Sequence, residues 1–251
     1  MNKTVLLFLS VMLLAATASF ANIAAVDSDD MQLAFGVSYH LNGADITNLK
    51  VPMMLNRIGG HGTYSPIRYV NVGIDAGLVL LSVDKFAASA GGASDTVPVF
   101  DGKVGLSAGG HLKLTTPYMF DYVGMTATGN ANYFHSANDM KAYYAGIEIA
   151  AAIGLQVRIP DVGSVSFGPQ LYLIDGKNKG YDGVKGTYSN VNNLRVWIAF
   201  DYFPEIDMFA EDQRPYLTIE FTASPEINGS KRVPVREFGL AVIVGMATLR
   251  R

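Results

Sequence analysis

In residues 143–159, YYAGIEIAAAIGLQVRI, the odd positions are Tyr143, Ala145, Ile147, Ile149, Ala151, Ile153, Leu155, Val157 and Ile159. The even positions include Gly146, Glu148, Gly154, Gln156 and Arg158. A helix would scatter Glu148, Gln156 and Arg158 among the aliphatics. An extended strand places every aliphatic on one face and every charge on the other.

The same alternation recurs outward from this segment. Met31, Leu33, Phe35, Val37, Tyr39 and Leu41 alternate with Gln32, Ala34, Gly36, Ser38 and His40. Val70, Val72, Ile74, Ala76, Leu78 and Leu80 alternate with Asn71, Gly73, Asp75 and Gly77. Comparable runs begin at Lys103, Val123, Val165, Leu194, Leu217 and Phe238, which makes nine clear strands. A weaker tenth is expected over 47–57, with Leu49, Val51, Met53 and Leu55 on one face and Pro52 removing a ladder hydrogen bond.

The segments between strands differ in length. Thr115-Thr116-Pro117 and Pro160-Asp161-Val162-Gly163 read as tight turns, whereas 84–99 and 176–192 are long, polar and glycine-rich. The 224–234 segment is intermediate and holds Asn228-Gly229, a hairpin signal. Ten strands put the tight turns at one end and the long loops at the other. That asymmetry, with an even strand number, belongs to outer-membrane barrels. The expected fold is all-β, a single antiparallel transmembrane barrel of ten strands with eight as the alternative, both termini being periplasmic.

A soluble barrel of the lipocalin type has the same alternation with its faces reversed. Two features favour the membrane form. The polar face is dominated by Gly, Ser, Thr and Ala with isolated charges, whereas a solvated exterior is dense in Lys and Glu. The apolar face is almost unbroken over the strands. Tyr39, Tyr64, Tyr69, Tyr118, Phe120, Tyr122, Tyr133, Phe134, Tyr143, Tyr202, Phe203 and Tyr216 lie near strand ends, where barrel girdles place aromatics. Charge at Ile149 or Ile153 is then expected to impair insertion more than charge at Ala150 or Ala152.

Composition bounds the function. Of 251 residues, 49% are hydrophobic and 16% charged, which excludes disorder. A net charge of −3 argues against a nucleic-acid partner, and the absence of cysteine excludes disulfides, thiolate metal sites and Cys nucleophiles. Residues 1–21 read as a cleaved signal peptide: Lys3, an apolar Val5 to Ala16, and Ser19-Phe20-Ala21 before Asn22. The barrel domain is expected over 22–251.

Leu49-x-Val51-Pro52-x-x-Leu55, then Arg68-Tyr69-Val70-Asn71-Val72-Gly73 and Gly77, resembles the second and third strands of the small outer-membrane β-barrel ("porin family") domain of Gram-negative bacteria. Asp101-Gly102-Lys103-Val104-Gly105 resembles that family's next strand opening. The resemblance implies an outer-membrane barrel and carries no catalytic residue across. One departure is the C-terminus, Ala247-Thr248-Leu249-Arg250-Arg251, where such barrels usually end in an aromatic residue read by the assembly machinery.

Asp75, Lys103, His111, Lys113, Glu148, Arg158, Arg195, Asp201, Glu220 and Glu237 fall on the expected lumen face, with Trp197 as a plug between Arg195 and Ala199. Both signs of charge in a narrow barrel imply a polar network filling the lumen. His135-Ser136 with Glu148 suggests a lipid-modifying enzyme, but a strand through His135 and Ser136 would send them to opposite faces. His40, His61, His111 and His135 show no helical metal-ligand spacing, so neither a metal site nor a cofactor is expected. The expected role is non-enzymatic: envelope structure, or external binding through loops 84–99 and 176–192. A small pore for ions or solutes is the alternative. Expected partners are outer-membrane lipid, lipopolysaccharide and, during biogenesis, the barrel-assembly machinery.

Overall fold

A computed structural model describes residues 31–46, 51–83, 100–160, 162–180, 183–204, 212–224 and 237–249. The signal segment 1–21, the loop 84–99 and nearly all of 224–234 lie outside the described residues. Among the described residues, twelve strands are formed: β1 Met31–Ile46, β2 Val51–Ile67, β3 Val70–Val83, β4 Phe100–Asp101, β5 Gly105–Thr115 and β6 Val123–Ala137. They continue with β7 Tyr143–Ile159, β8 Gly163–Lys179, β9 Lys185–Ser189, β10 Leu194–Tyr202, β11 Gln213–Ala223 and β12 Phe238–Leu249.

Ten of these make the wall. Each pairs antiparallel with its neighbours in the order β1, β2, β3, β5, β6, β7, β8, β10, β11, β12. The last closes on the first, with Phe35 opposite Met246 and Leu41 opposite Leu240. The short β4 pairs alongside the end of β3, and β9 alongside the end of β8, at the rim farthest from the termini. The ten-strand expectation holds.

Period-two side-chain alternation becomes a wall with two chemically distinct surfaces. Outside, Phe35, Ile74, Leu106, Ile153, Val196 and Phe221 are exposed, Ile74 by 71% and Leu106 by 69%. Inside, Ser38, His111, Glu148, Gln170, Asp201 and Glu220 are buried.

Of the strand expected over 47–57, residues 51–57 lie in β2, which runs on to Ile67 and is differently oriented, while 47–50, with Leu49, lie outside the described residues. Val51, Met53 and Leu55 point inward, and Met54, Asn56 and Ile58 outward. Pro52 is tolerated because it is the second residue of β2, opposite Asp45 at the rim. With Ile46, Val79, Leu81, Val83, Phe100, Phe134, Tyr172 and Ile174, these residues build an apolar cluster inside the end of the barrel farthest from the termini. Hydrophobic burial thus overrides a purely polar interior at that end. Ala150 and Ala152 belong to the same cluster, so neither is a roomy lumen position open to charge.

Three aromatics expected at the girdle, Phe134, Phe203 and Tyr216, are buried instead, while Tyr64, Phe120, Tyr122 and Tyr133 are exposed. Much of the expected loop 176–192 is strand: β8 runs to Lys179 and pairs with β9, Asp175 facing Ser189. The opposite end is tightly closed. Arg68 and Tyr69 alone join β2 to β3, Tyr69 taking φ 71°, and Val162 N donates to Ile159 O in the turn before β8.

Candidate functional site

Two charged bridges cross the lumen at different heights. Arg57 on β2 and Glu148 on β7 meet with Nη2 and Oε2 2.6 Å apart. Asn42 Nδ2, from β1, donates to the other Glu148 oxygen. Nearer the termini, Lys113 Nζ on β5 donates to Asp201 Oδ2 on β10 at 3.2 Å. Thr218 Oγ1 donates to Asp201 Oδ1 at 2.6 Å. These partners sit on opposed walls of the sheet, so each bridge fixes the barrel's cross-section. Buried carboxylates survive only when paired and hydrogen-bonded, which this arrangement achieves.

Farther from the termini, Arg195 lies with its guanidinium carbon 3.5 Å from the centroid of the Tyr172 ring. Its Nη2 donates to Gly43 O at 2.8 Å. Trp197, 1% exposed, lies within the apolar cluster. Glu220 is fully buried. Glu237 accepts a hydrogen bond from Asn192 Nδ2 at 2.7 Å.

A third grouping lies on adjacent strands. His61 on β2 stands directly opposite Asp75 on β3. His111 on β5 stands opposite Gly73, one inward position along from Asp75. The two imidazoles stack, centroids 4.5 Å apart and planes within 6°. Each Nδ1 is 2.8 Å from a different oxygen of Asp75. Each Nε2 is 2.9 Å from Thr63 Oγ1. A Cβ on Gly73 would fall 2.2 Å from His111 Nε2, so glycine at that position leaves room for the stacked ring. The absence of helical His-x-x-x-His spacing did not preclude such a grouping, because its members come from three strands.

Two residues expected in the lumen are elsewhere. Lys103 is 66% exposed and pairs with Asp139 at 2.6 Å on the rim. Residues 102–104 lie outside any strand, so the inward phase does not reach Lys103. Arg158 occupies an inward phase but lies at the end of β7, where its long side chain reaches out over Tyr118, 5.7 Å from the ring centroid. Conversely, Arg57, His61 and Thr63 were not expected. Their signal is present in Arg57-x-Gly59-x-His61-x-Thr63-x-Ser65, polar or small at every second position. The glycines at 60 and 62 thin out the apolar face that would have marked it.

β6 runs through His135 and Ser136. His135 is exposed and stacks on Tyr143 at 5.8 Å, while Ser136 is fully buried and donates to Lys103 O at 3.0 Å. The two face opposite sides of the wall.

No family model matches the chain, and no curated protein matches it. Among solved structures, the translocator domain of the autotransporter NalP from Neisseria meningitidis is similar, with a TM-score of 0.47 and 10% identity over 89% of this chain and 90% of that one.

Proposed function

We propose that the chain is an integral outer-membrane barrel with a closed lumen, periplasmic termini and a working surface at the rim opposite them. The observation that carries this reading is the inversion of polarity across the wall. Exposed aliphatics such as Ile74 and Leu106 face outward around a charged interior. A water-facing exterior of that kind would far exceed the apolar patches soluble monomers carry. A closed barrel leaves no unpaired strand edge, the condition for spanning hydrocarbon with strands.

The occupied lumen favours an envelope-structural or binding role over conduction. Two trans-lumen ion pairs and an apolar plug around Trp197 stand in the path of solutes. Binding would fall to the rim, where Lys141, Lys177 and Lys185 offer cations to anionic lipopolysaccharide headgroups. The porin-family resemblance and recognition by the barrel-assembly machinery belong to the same reading. So does the absence of catalysis, which the separation of His135 from Ser136 supports.

Single-channel recording of the refolded chain in a planar bilayer tests it, with a heat-modifiable gel band as the measure of folding. A folded, silent barrel is the expected result. Discrete, reproducible conductance steps would replace this reading with a small pore.

A further inference from the structure

We propose that His61, Asp75 and His111 bind one divalent transition-metal ion of the zinc class inside the barrel. The two histidine rings and the carboxylate offer ligand atoms that all lie within 4.8 Å of one another. Two imidazole nitrogens and one carboxylate oxygen form a set that such ions take readily. Metal bonds of roughly 2.0–2.2 Å put tetrahedral ligand atoms about 3.3 Å apart. The Nδ1–Asp75 contacts of 2.8 Å open by about half an ångström to admit an ion, and the two histidine rings, stacked 4.5 Å apart, tilt towards it.

Thr63 supplies the outer support that metal-binding histidines require. With an ion on the Nδ1 side, both rings carry their proton on Nε2. The two lone pairs of Thr63 Oγ1 accept both N–H groups. Both Nδ1 lone pairs then face the Asp75 side, and the rings, stacked with planes within 6°, splay to bring them onto one ion. Neighbouring strands fix the three ligands in register. The His61 and His111 side chains are 1% and 3% exposed, so little rotamer freedom is left to lose on binding.

The surroundings add two observations. Among the described residues, Arg57 pairs with Glu148 and Lys113 with Asp201, whereas the ion-pair partners of Asp75 are the two histidines. Asp75 also lines a cavity of about 20 Å³ with His40, Arg57, Ser38 and Ser107. That is space for about one water beside Asp75, on the side away from His61 and His111, which do not line it. His40, 9% exposed, has an Nδ1 with no hydrogen-bond partner in the structure.

Cobalt(II) titration of the tag-free, folded protein in detergent, read by visible d–d absorption and by metal analysis after dialysis, tests the site. One equivalent per chain is expected, displaced by zinc and removed by a chelator. His61→Ala and His111→Ala should abolish it, Asp75→Asn should weaken it at least tenfold, and Thr63→Val should weaken it about 10–100-fold. His135→Ala, on the outer face, should leave it intact. Absence of saturable binding by the folded wild-type chain overturns the proposal without recourse to any variant. So does stoichiometric binding that survives the His61→Ala, His111→Ala double variant, or that is lost in His135→Ala.

Discussion

Arg57 and Glu148 are separated by 91 residues, yet their side chains meet 2.6 Å apart across the lumen, 6% and 0% exposed. The contact joins β2 to β7 and braces walls that share no backbone ladder. Breaking a buried pair by removing one partner strands the other charge, at about 3–5 kcal/mol. Arg57→Ala or Glu148→Ala should therefore lower unfolding stability by that amount in denaturant titrations of the detergent-folded protein. The double replacement by methionine should cost less than either. Equal and additive losses would mean that the two groups are not coupled.

The outer face makes a depth-graded prediction. Ile153 lies mid-strand on β7 and Ile159 is its last residue. Arginine costs about 2–4 kcal/mol at the bilayer midplane and about 0–1 near the interface. Ile153→Arg should sharply reduce folding into lipid vesicles, and Ile159→Arg should barely affect it. Equal tolerance at both positions would argue against a surrounding bilayer.

Trp197 is the chain's single tryptophan, which makes its emission site-specific. Because it sits in the apolar cluster of the lumen, aqueous iodide should fail to quench it in the folded barrel and should quench it after denaturation. Strong quenching in the folded state would reveal a water path past the residue.

Tyr216, Gly245 and Gly36 stand side by side on β11, β12 and β1. A Cβ at Gly245 would fall 2.7 Å from Tyr216 Cε1, and one at Gly36 would fall 2.7 Å from Tyr216 Oη, so the aromatic ring lies across two glycines. The pattern repeats with Tyr188 over Gly176 and Gly146. Such rings restore burial that glycine forfeits in a strand. Gly245→Ala should destabilise the barrel by about 1–3 kcal/mol, measured as a shift in the denaturant midpoint. Combined with Tyr216→Ala, the effect should be non-additive.

Where each strand carries polar residues on one face and large aliphatics on the other, as β7 does, period two disclosed the strand and which face points out of the barrel together. β2 was harder. Its lower half is glycine-rich outside and polar inside, while its upper half is apolar inside, so the local pattern reversed the faces of Val51, Met53 and Leu55. Lumen-facing Glu148, Asp201 and Trp197 were legible from parity alone. Lys113 was legible in the same way, but Arg57 and the two pairings were not, because Arg57 and Lys113 reach Glu148 and Asp201 across the lumen rather than along a ladder. The His61, Asp75 and His111 grouping depends on the register of three strands, and no spacing within one segment encodes it.

The seam between β1 and β12 runs from Met31 opposite Leu249 to Asn42 opposite Gly239. Every other ladder of the wall joins strands that follow one another in the chain or are separated only by the short β4 or β9. Until β12 docks, β1 and β11 each present a bare row of amides and carbonyls, the template from which edge-to-edge aggregation starts. The final ladder also spans the greatest sequence separation, so its loop-closure entropy comes due last. Nascent chains are therefore most vulnerable in the interval before closure, and a holdase occupying those two edges would protect them better than one gripping the apolar faces.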